Sequence, residues 1–351
     1  MKLNNKKIYI VGFGKNGKNI AKYLNDKQID FCGYVDIKTI NNEKENVIRY
    51  EDVDLNAVYI ISSPENENEM IKKLKENNVN DDKIISFCRP WIMEEILNEV
   101  YKYDVNYSSK IKCFKNINEG QSCFIIGNGP SLQLRDLEVI HKNKIKTFAA
   151  NCIYALYGQT KWRPTYYVAS DTSMTNNILL NDLSIALDGV TEMFTSVNSK
   201  MIKFNDNKKI NYLIQIMSKD IYTGLPEFSS ECDKRVFLSG TVSYQMLQLA
   251  AYMGFKNIYL LGIDCSYAIE RQKNGNFKKN NVLDHNYIIQ KYEENLVNNA
   301  KISSCWADVN MQINGFMAAK RYCDKNRIKI YNATRGGKLE VFERSNFDML
   351  F

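Results

Sequence analysis

Only two of the 351 residues are histidine, and none of the nine cysteines forms a Cys-x-x-Cys pair. So little histidine argues against a histidine-based metal site. The cysteines are odd in number and irregularly spaced inside apolar runs. That argues against a disulfide framework or a zinc site, and reads instead as reduced, partly buried thiols. No stretch reaches the ~18 consecutive apolar residues that a membrane span needs. The chain opens on Met1-Lys2-Leu3-Asn4-Asn5-Lys6-Lys7 and passes straight into a strand, without the apolar region of a signal peptide. A cytoplasmic location is therefore expected. There is no dense Lys/Arg block and no basic–aromatic repeat, so nucleic acid is not an expected partner. The net charge of +7, from 47 basic and 40 acidic side chains, is spread along the chain. A solvated basic surface accounts for it. It would also suit a phosphate-bearing ligand or a peripheral contact with an anionic membrane.

What is present is ordinary for a soluble globular protein: 44% apolar and 25% charged residues. The length is too great for one small core, and two domains are expected. Strands and helices alternate throughout, which implies α/β architecture with mainly parallel sheets. We expect two Rossmann-like domains flanked by helices: residues 1–90, then a helical connection over 91–120, then 121–351.

The first domain opens on an apolar strand over 8–11, followed by Gly12-Phe13-Gly14-Lys15-Asn16-Gly17 and an amphipathic helix carrying Ile20, Ala21, Tyr23 and Leu24. A second strand over 31–35 ends at Asp36. A Gly-x-Gly-x-x-Gly turn between strand and helix, with an acid about twenty residues on, is the dinucleotide-binding pattern. Gly12, Gly14 and Gly17 would admit a diphosphate, and Asp36 would take ribose hydroxyls, with NAD or a nucleotide sugar as ligand. A Rossmann half that serves only as scaffold gives the same pattern, and both readings stay open. Further strands are expected over 57–64 and 83–87, with helices over 70–77 and 91–100.

The second domain opens on Phe124-Ile125-Ile126-Gly127-Asn128-Gly129-Pro130-Ser131-Leu132. This reads as a buried strand, a glycine turn that can approach a ligand closely, and a helix beginning at Pro130. Gly127, Asn128, Gly129 and Ser131 then make an anion-binding loop, or else a plain strand-to-helix connection. Later strands each end in a polar group: Asn151 after 145–150, Asp171 after 164–170, Ser239-Gly240 after 236–238, Asp264 after 257–261 and Asn332 after 329–331. In an open α/β sheet, that edge is where ligands bind.

Group transfer from a nucleotide needs held and neutralised phosphates, a positioned acceptor and a base. Arg335 or Lys338 could neutralise charge. The base would be His285, or Asp264 or Asp171, and either acid could instead hold Mg²⁺ through oxygen.

The ordered set Gly127-Asn128-Gly129-Pro130-Ser131, Ser170-Asp171, Ser239-Gly240-Thr241, Gly262-Ile263-Asp264, Asp284-His285 and 332–342 resembles the 6-hydroxymethylpterin diphosphokinase MptE-like family. That family also includes the motility accessory factor (Maf) glycosyltransferases. The same segments are similar to bacterial CMP-sialic-acid-dependent sialyltransferases, and the resemblance covers about residues 120–351. It implies that Asn128 and Asn151 hold a nucleotide, that Ser239 and Gly240 line the site, and that Tyr267 helps hold the departing phosphate. His285 lies several residues before the place of the sialyltransferase histidine. The implied activity is a glycosyltransferase using a nucleotide-activated sugar, of CMP-sugar type, with a glycan, lipid-linked or protein acceptor and a homo-oligomeric assembly. The alternatives are a pyrophosphokinase moving diphosphate from ATP to a hydroxymethylpterin-type alcohol, and a non-catalytic nucleotide-sensing module.

Overall fold

The computed structural model describes residues 7–26, 29–37, 46–63, 66–80, 83–86, 110–169, 180–196, 208–217, 224–271, 277–298 and 307–351. The helix expected over 91–100 and the candidate acid Asp171 lie outside these residues. The chain divides into two compact units, Met1–Glu99 and Val100–Phe351. Both are Rossmann-like α/β units.

In the first unit, β1 (Ile8–Val11), β2 (Gly33–Val35), β3 (Val47–Ile48), β4 (Val58–Ile61) and β5 (Ile84–Ser86) form a parallel sheet in the order β3-β2-β1-β4-β5. The strands are short apolar runs, as expected where both faces are covered. Ile8, Ile10, Val58 and Ile60 pack one face against Ile20, Ala21 and Leu24 of α1 (Lys15–Asp26). Val11, Val35, Tyr59 and Ile61 pack the other against Leu74 of α2 (Glu67–Glu76). The order reverses between β1 and β4, so the glycine turn after β1 lies at the switch point where open sheets bind ligands.

The second unit is built on a larger sheet. Its strands are β6 (Ser122–Ile126), β7 (Lys146–Ala150), β8 (Tyr166–Ala169), β9 (Glu192–Ser196), β10 (Ile210–Leu213), β13 (Asn257–Leu261), β16 (Lys329–Asn332) and β17 (Glu343–Arg344). They run in the order β10-β9-β8-β7-β6-β13-β16-β17, with parallel pairing throughout. Two small pairs stand apart: β11 (Gln215–Met217) with β12 (Val236–Leu238), and β14 (Ile269–Arg271) with β15 (Phe277–Lys279). The helices are α3 (Leu134–Lys142), α4 (Leu180–Ala186), α5 (Val242–Tyr252), α6 (Tyr287–Asn298) and α7 (Val309–Lys325). Almost every residue of α5 is buried, and its buried Gln245 and Gln248 are hydrogen-bonded, Gln248 to Phe237 and Ser229 and Gln245 to Gln215. Here the order reverses between β6 and β13.

Two expectations are corrected. The helix after the Gly127 loop does not begin at Pro130 but at Leu134, with Gln133 as an N-cap that makes no side-chain bond. Ser131 instead bonds Asp264 across the switch point. In addition, β10 extends the sheet where the sequence pattern marked no strand. Its Asn211 is fully buried, which interrupts the apolar run, and its side-chain amide bonds Glu192 and two backbone carbonyls.

Candidate functional site

The Gly127 loop follows β6, and Gly262-Ile263-Asp264 follows β13, so the two flank the switch point. Gly127 N–H donates to Leu261 O at 2.8 Å, and Gly129 N–H donates to Gly262 O at 2.9 Å. A Cβ at Gly127 would stand 2.3 Å from Gly262 O, and one at Gly129 would stand 1.9 Å from Asp264 Oδ2. These glycines therefore permit the close approach of two protein loops. Ser131 Oγ donates to Asp264 Oδ2 at 2.8 Å, and its amide also faces that carboxylate. The anion held by this loop is thus the protein's own Asp264.

Asp264 is buried, and burial pushes its carboxyl above the usual range, against the pull of Ser131 and Arg344. An open base or a Mg²⁺ ligand at Asp264 does not fit this geometry, because the carboxylate already bonds Ser131 and abuts Gly129. The 332–342 segment packs behind it. Ile263 N–H donates to Thr334 Oγ1 at 3.1 Å, Lys338 N–H donates to Asp264 O at 2.7 Å, and Asn332 is buried and bonded to Leu339 and Thr334.

Arg335, expected to neutralise phosphate, is engaged elsewhere. It forms a fork on the buried Asp136, at 2.8 and 2.9 Å, and also pairs with Asp348. Lys338 carries its ammonium in the open, 3.9 Å from Glu270.

Asn128 and Asn151 behave differently. Asn128 Nδ2 donates to Ala150 O at 3.3 Å, which fixes the orientation of the amide and joins the ends of β6 and β7. Asn128 Oδ1 and Asn151 Oδ1 are both buried without a hydrogen-bond partner. Asn151 has φ +54°, a left-handed conformation that asparagine tolerates. Its carbonyl accepts the Tyr167 hydroxyl at 2.6 Å.

The 284–286 segment is tied to the same loop. Asn286 N–H donates to Asn128 O at 2.7 Å, and Asn286 Nδ2 donates to Leu132 O at 3.0 Å. Asn286 also caps α6, accepting from Ile288 N–H at 3.0 Å. His285 Nδ1 meets Glu293 Oε2. Burial works against charging this ring, but the Glu293 bond and the charges of Glu293 and Asp284 outweigh it and raise its pKa.

Tyr267 and the Ser239-Gly240 turn are joined through Gln312. The Tyr267 hydroxyl donates to Gln312 Oε1 at 3.0 Å, and Gln312 Nε2 donates to Gly240 O at 3.2 Å. Ser239 Oγ is already satisfied by Met311 O at 2.7 Å. Among the described residues, no three His, Cys, Asp or Glu side chains gather as a metal site.

A family model described as 6-hydroxymethylpterin diphosphokinase MptE-like matches residues 94–270, half of the chain. The chain belongs to the MptE-like family. No curated protein matches it. The solved structure of the Maf glycosyltransferase from Magnetospirillum magneticum AMB-1 is similar over 99% of this chain, at 13% identity and a TM-score of 0.42. This chain spans 59% of that one's length. Among the described residues, no helix is long and apolar enough to cross a membrane.

For this MptE-like protein, the sequence pattern missed Asn286, Glu293 and Gln312. Asn286 was detectable as the N-cap of a helix over 287–298. Glu293 and Gln312 matter only through partners distant in sequence or on another helix.

The raised His285 pKa has a consequence for stability. A group whose folded pKa is raised contributes stability that is complete below its unfolded value, about 6.5, and is lost as pH rises through the folded value. Urea midpoints of the wild type and His285→Gln are therefore expected to differ most below about pH 6.5 and to converge as pH rises through the folded value.

Proposed function

We propose that the second unit is a nucleotide-dependent transferase whose donor is a nucleotide-activated sugar. A CMP-sugar is the favoured type, and the acceptor is a glycan, a lipid-linked glycan or a protein. The observation that carries this reading is the pair of buried, unpartnered amide oxygens on Asn128 and Asn151. A buried acceptor left unmade costs about 1–3 kcal/mol, and a ligand bringing N–H or O–H groups removes that penalty. Nucleobase amino groups and ribose hydroxyls are such donors, whereas phosphate oxygens only accept. The two asparagines therefore suit the nucleoside, while Lys338 and Tyr267 suit the phosphate. In the reaction, the acceptor oxygen bonds the anomeric carbon as the bond from that carbon to the phosphate oxygen breaks. The bonding pair leaves with the nucleotide, and the acceptor proton passes to His285.

The family's description favours a second reading, transfer of diphosphate from ATP to a hydroxymethylpterin-type alcohol with release of AMP. The first unit has a separate candidate site. Phe13 N–H donates to Asp36 Oδ2 at 2.7 Å beside the glycine turn, which follows β1 at the point where the strand order reverses. We propose that Gly12, Gly14, Gly17 and Asp36 take a dinucleotide such as NAD.

A thermal-stability screen across CMP, UDP, GDP, ATP and NAD tests these readings. A ligand at a hundred times its Kd adds about 2.7 kcal/mol of stability. Stabilisation by CMP, with CMP release from a CMP-sugar, is the expected result. Stabilisation by ATP alone, with AMP release, moves the assignment to the diphosphokinase. NAD binding without any turnover moves it to a sensing module, and no stabilisation by any nucleotide sinks the proposal.

A further inference from the structure

Glu293 lies in α6, eight residues after His285, and belongs to no motif. Its side chain is 14% exposed, and Oε2 stands 2.5 Å from His285 Nδ1. Its other oxygen, Oε1, is buried without a hydrogen-bond partner. Among the described residues, no lysine or arginine pairs with it. A buried carboxylate needs a compensating charge, and here the imidazole supplies it. The ring itself is 31% exposed, and no described residue bonds its Nε2. Through Asn286, the segment carrying the ring is bonded to the Gly127 loop at Asn128 and Leu132, the loop that bears one of the two unpartnered asparagine oxygens.

We propose that Glu293 is a positioning residue that accepts the Nδ1–H of His285, fixing the tautomer and leaving the Nε2 lone pair as the proton acceptor. The identity of the group deprotonated rests on the transferase reading above, whereas the tautomer does not. In the transfer step, the acceptor hydroxyl gives its proton to Nε2, and its oxygen's electron pair forms the new bond to the transferred group. The leaving pair departs with the nucleotide. Glu293 stays ionised and stabilises the imidazolium.

The charged and titratable groups around the ring are consistent with this role. Glu293 faces it from α6, and Asp284 faces it from its own segment. Cys152, from the turn after β7, lies beside Glu293. Burial and then the Glu293 charge push its thiol up, so it stays neutral. Asp182 of α4 accepts from Tyr154 and Tyr292 in the adjoining layer and is an acid, not a competing cation.

Nitrogen-15 NMR of the imidazole tests the inference. His141 is the other histidine, so His141→Gln leaves a single signal. In that background, the neutral ring is expected as the Nδ1–H tautomer, titrating above about 6.5. Glu293→Gln is expected to lower the midpoint by about one pH unit or more, as loss of an adjacent opposite charge does. With a nucleotide sugar as substrate, the same variant is expected to lower kcat about tenfold or more, with KM within about twofold and the acid limb of the pH profile moved down. An Nε2–H tautomer, or a midpoint at or below 6.5, overturns the proposal, and this measurement needs no Glu293 variant to fold. A midpoint unmoved by Glu293→Gln also overturns it. If the tautomer is as expected but no nucleotide sugar is turned over, the transferase reading fails while the Glu293–His285 arrangement stands.

Discussion

Arg335→Ala is expected to lower the stability of the second unit by about 3–5 kcal/mol, the usual consequence of stranding one partner of a buried ion pair. Asp136 is 1% exposed, and Arg335 grips both of its oxygens. The nearest substitute cation, Arg135, stands 3.8 Å away on a largely exposed side chain and makes a poor replacement. Arg335 also binds Asp348 and lies over the Phe347 ring at 5.3 Å, so it anchors the C-terminal segment as well. The check is the urea midpoint at unchanged slope. The double variant Arg335→Ala/Asp136→Asn is expected to recover much of the loss, because no charge is then left buried. Nucleotide stabilisation, measured relative to each unliganded form, is expected to persist in Arg335→Ala. Loss of that ligand effect would return Arg335 to the phosphate-binding role that the sequence pattern suggested.

The second large effect is on binding. Asn151→Gly is expected to reduce nucleotide affinity roughly 3- to 10-fold, the value of one neutral hydrogen bond of about 0.5–1.5 kcal/mol. Glycine accepts the left-handed backbone at this position without strain, so the substitution removes the amide alone. Unliganded stability is expected to change little. Deleting a buried, unsatisfied oxygen is favourable, and the added freedom of the unfolded chain opposes it by about 0.5–1 kcal/mol. Asn128→Ala is expected to act in the same direction. The two effects are expected to be non-additive, because Asn128 bonds the carbonyl of Ala150, next to Asn151. The measurement is a nucleotide titration followed by melting temperature. If Asn151→Gly lowers the unliganded melting temperature and leaves the nucleotide effect whole, Asn151 is a structural residue and the nucleoside reading loses its main support.

Much of the fold could be read from local pattern. The apolar runs ending at Val11, Ile126, Ala150 and Leu261 are parallel strands because runs of four or five apolar residues must be covered on both faces. The glycine turn after β1 followed from the same logic. Among the described residues, Asn128, Asn151 and Asp264 did follow strands of one sheet, as alternation of strand and helix requires, whereas Ser239 follows β12 of a separate two-stranded sheet. What local pattern misjudged was the task of each polar group. Ser131 resembled part of an anion-binding loop, Arg335 a phosphate ligand and Asp264 a base, each on the strength of its type and its neighbours in sequence.

The sequence by itself determined two Rossmann-like units, a glycine loop after a buried strand, and a row of polar residues at strand ends, because periodicity and turn chemistry act over a few residues. Only the tertiary structure decided which of those groups are already satisfied. Asp264 meets Ser131 across 133 positions, Arg335 meets Asp136 across 199, and His285 meets Glu293 through the folding back of one helix. Hydrogen bonding and charge compensation are settled by proximity in space, so Asn128 and Asn151, each with a buried amide oxygen left without a partner, could be told apart from Ser131, Asp264 and Arg335 only once the chain was folded.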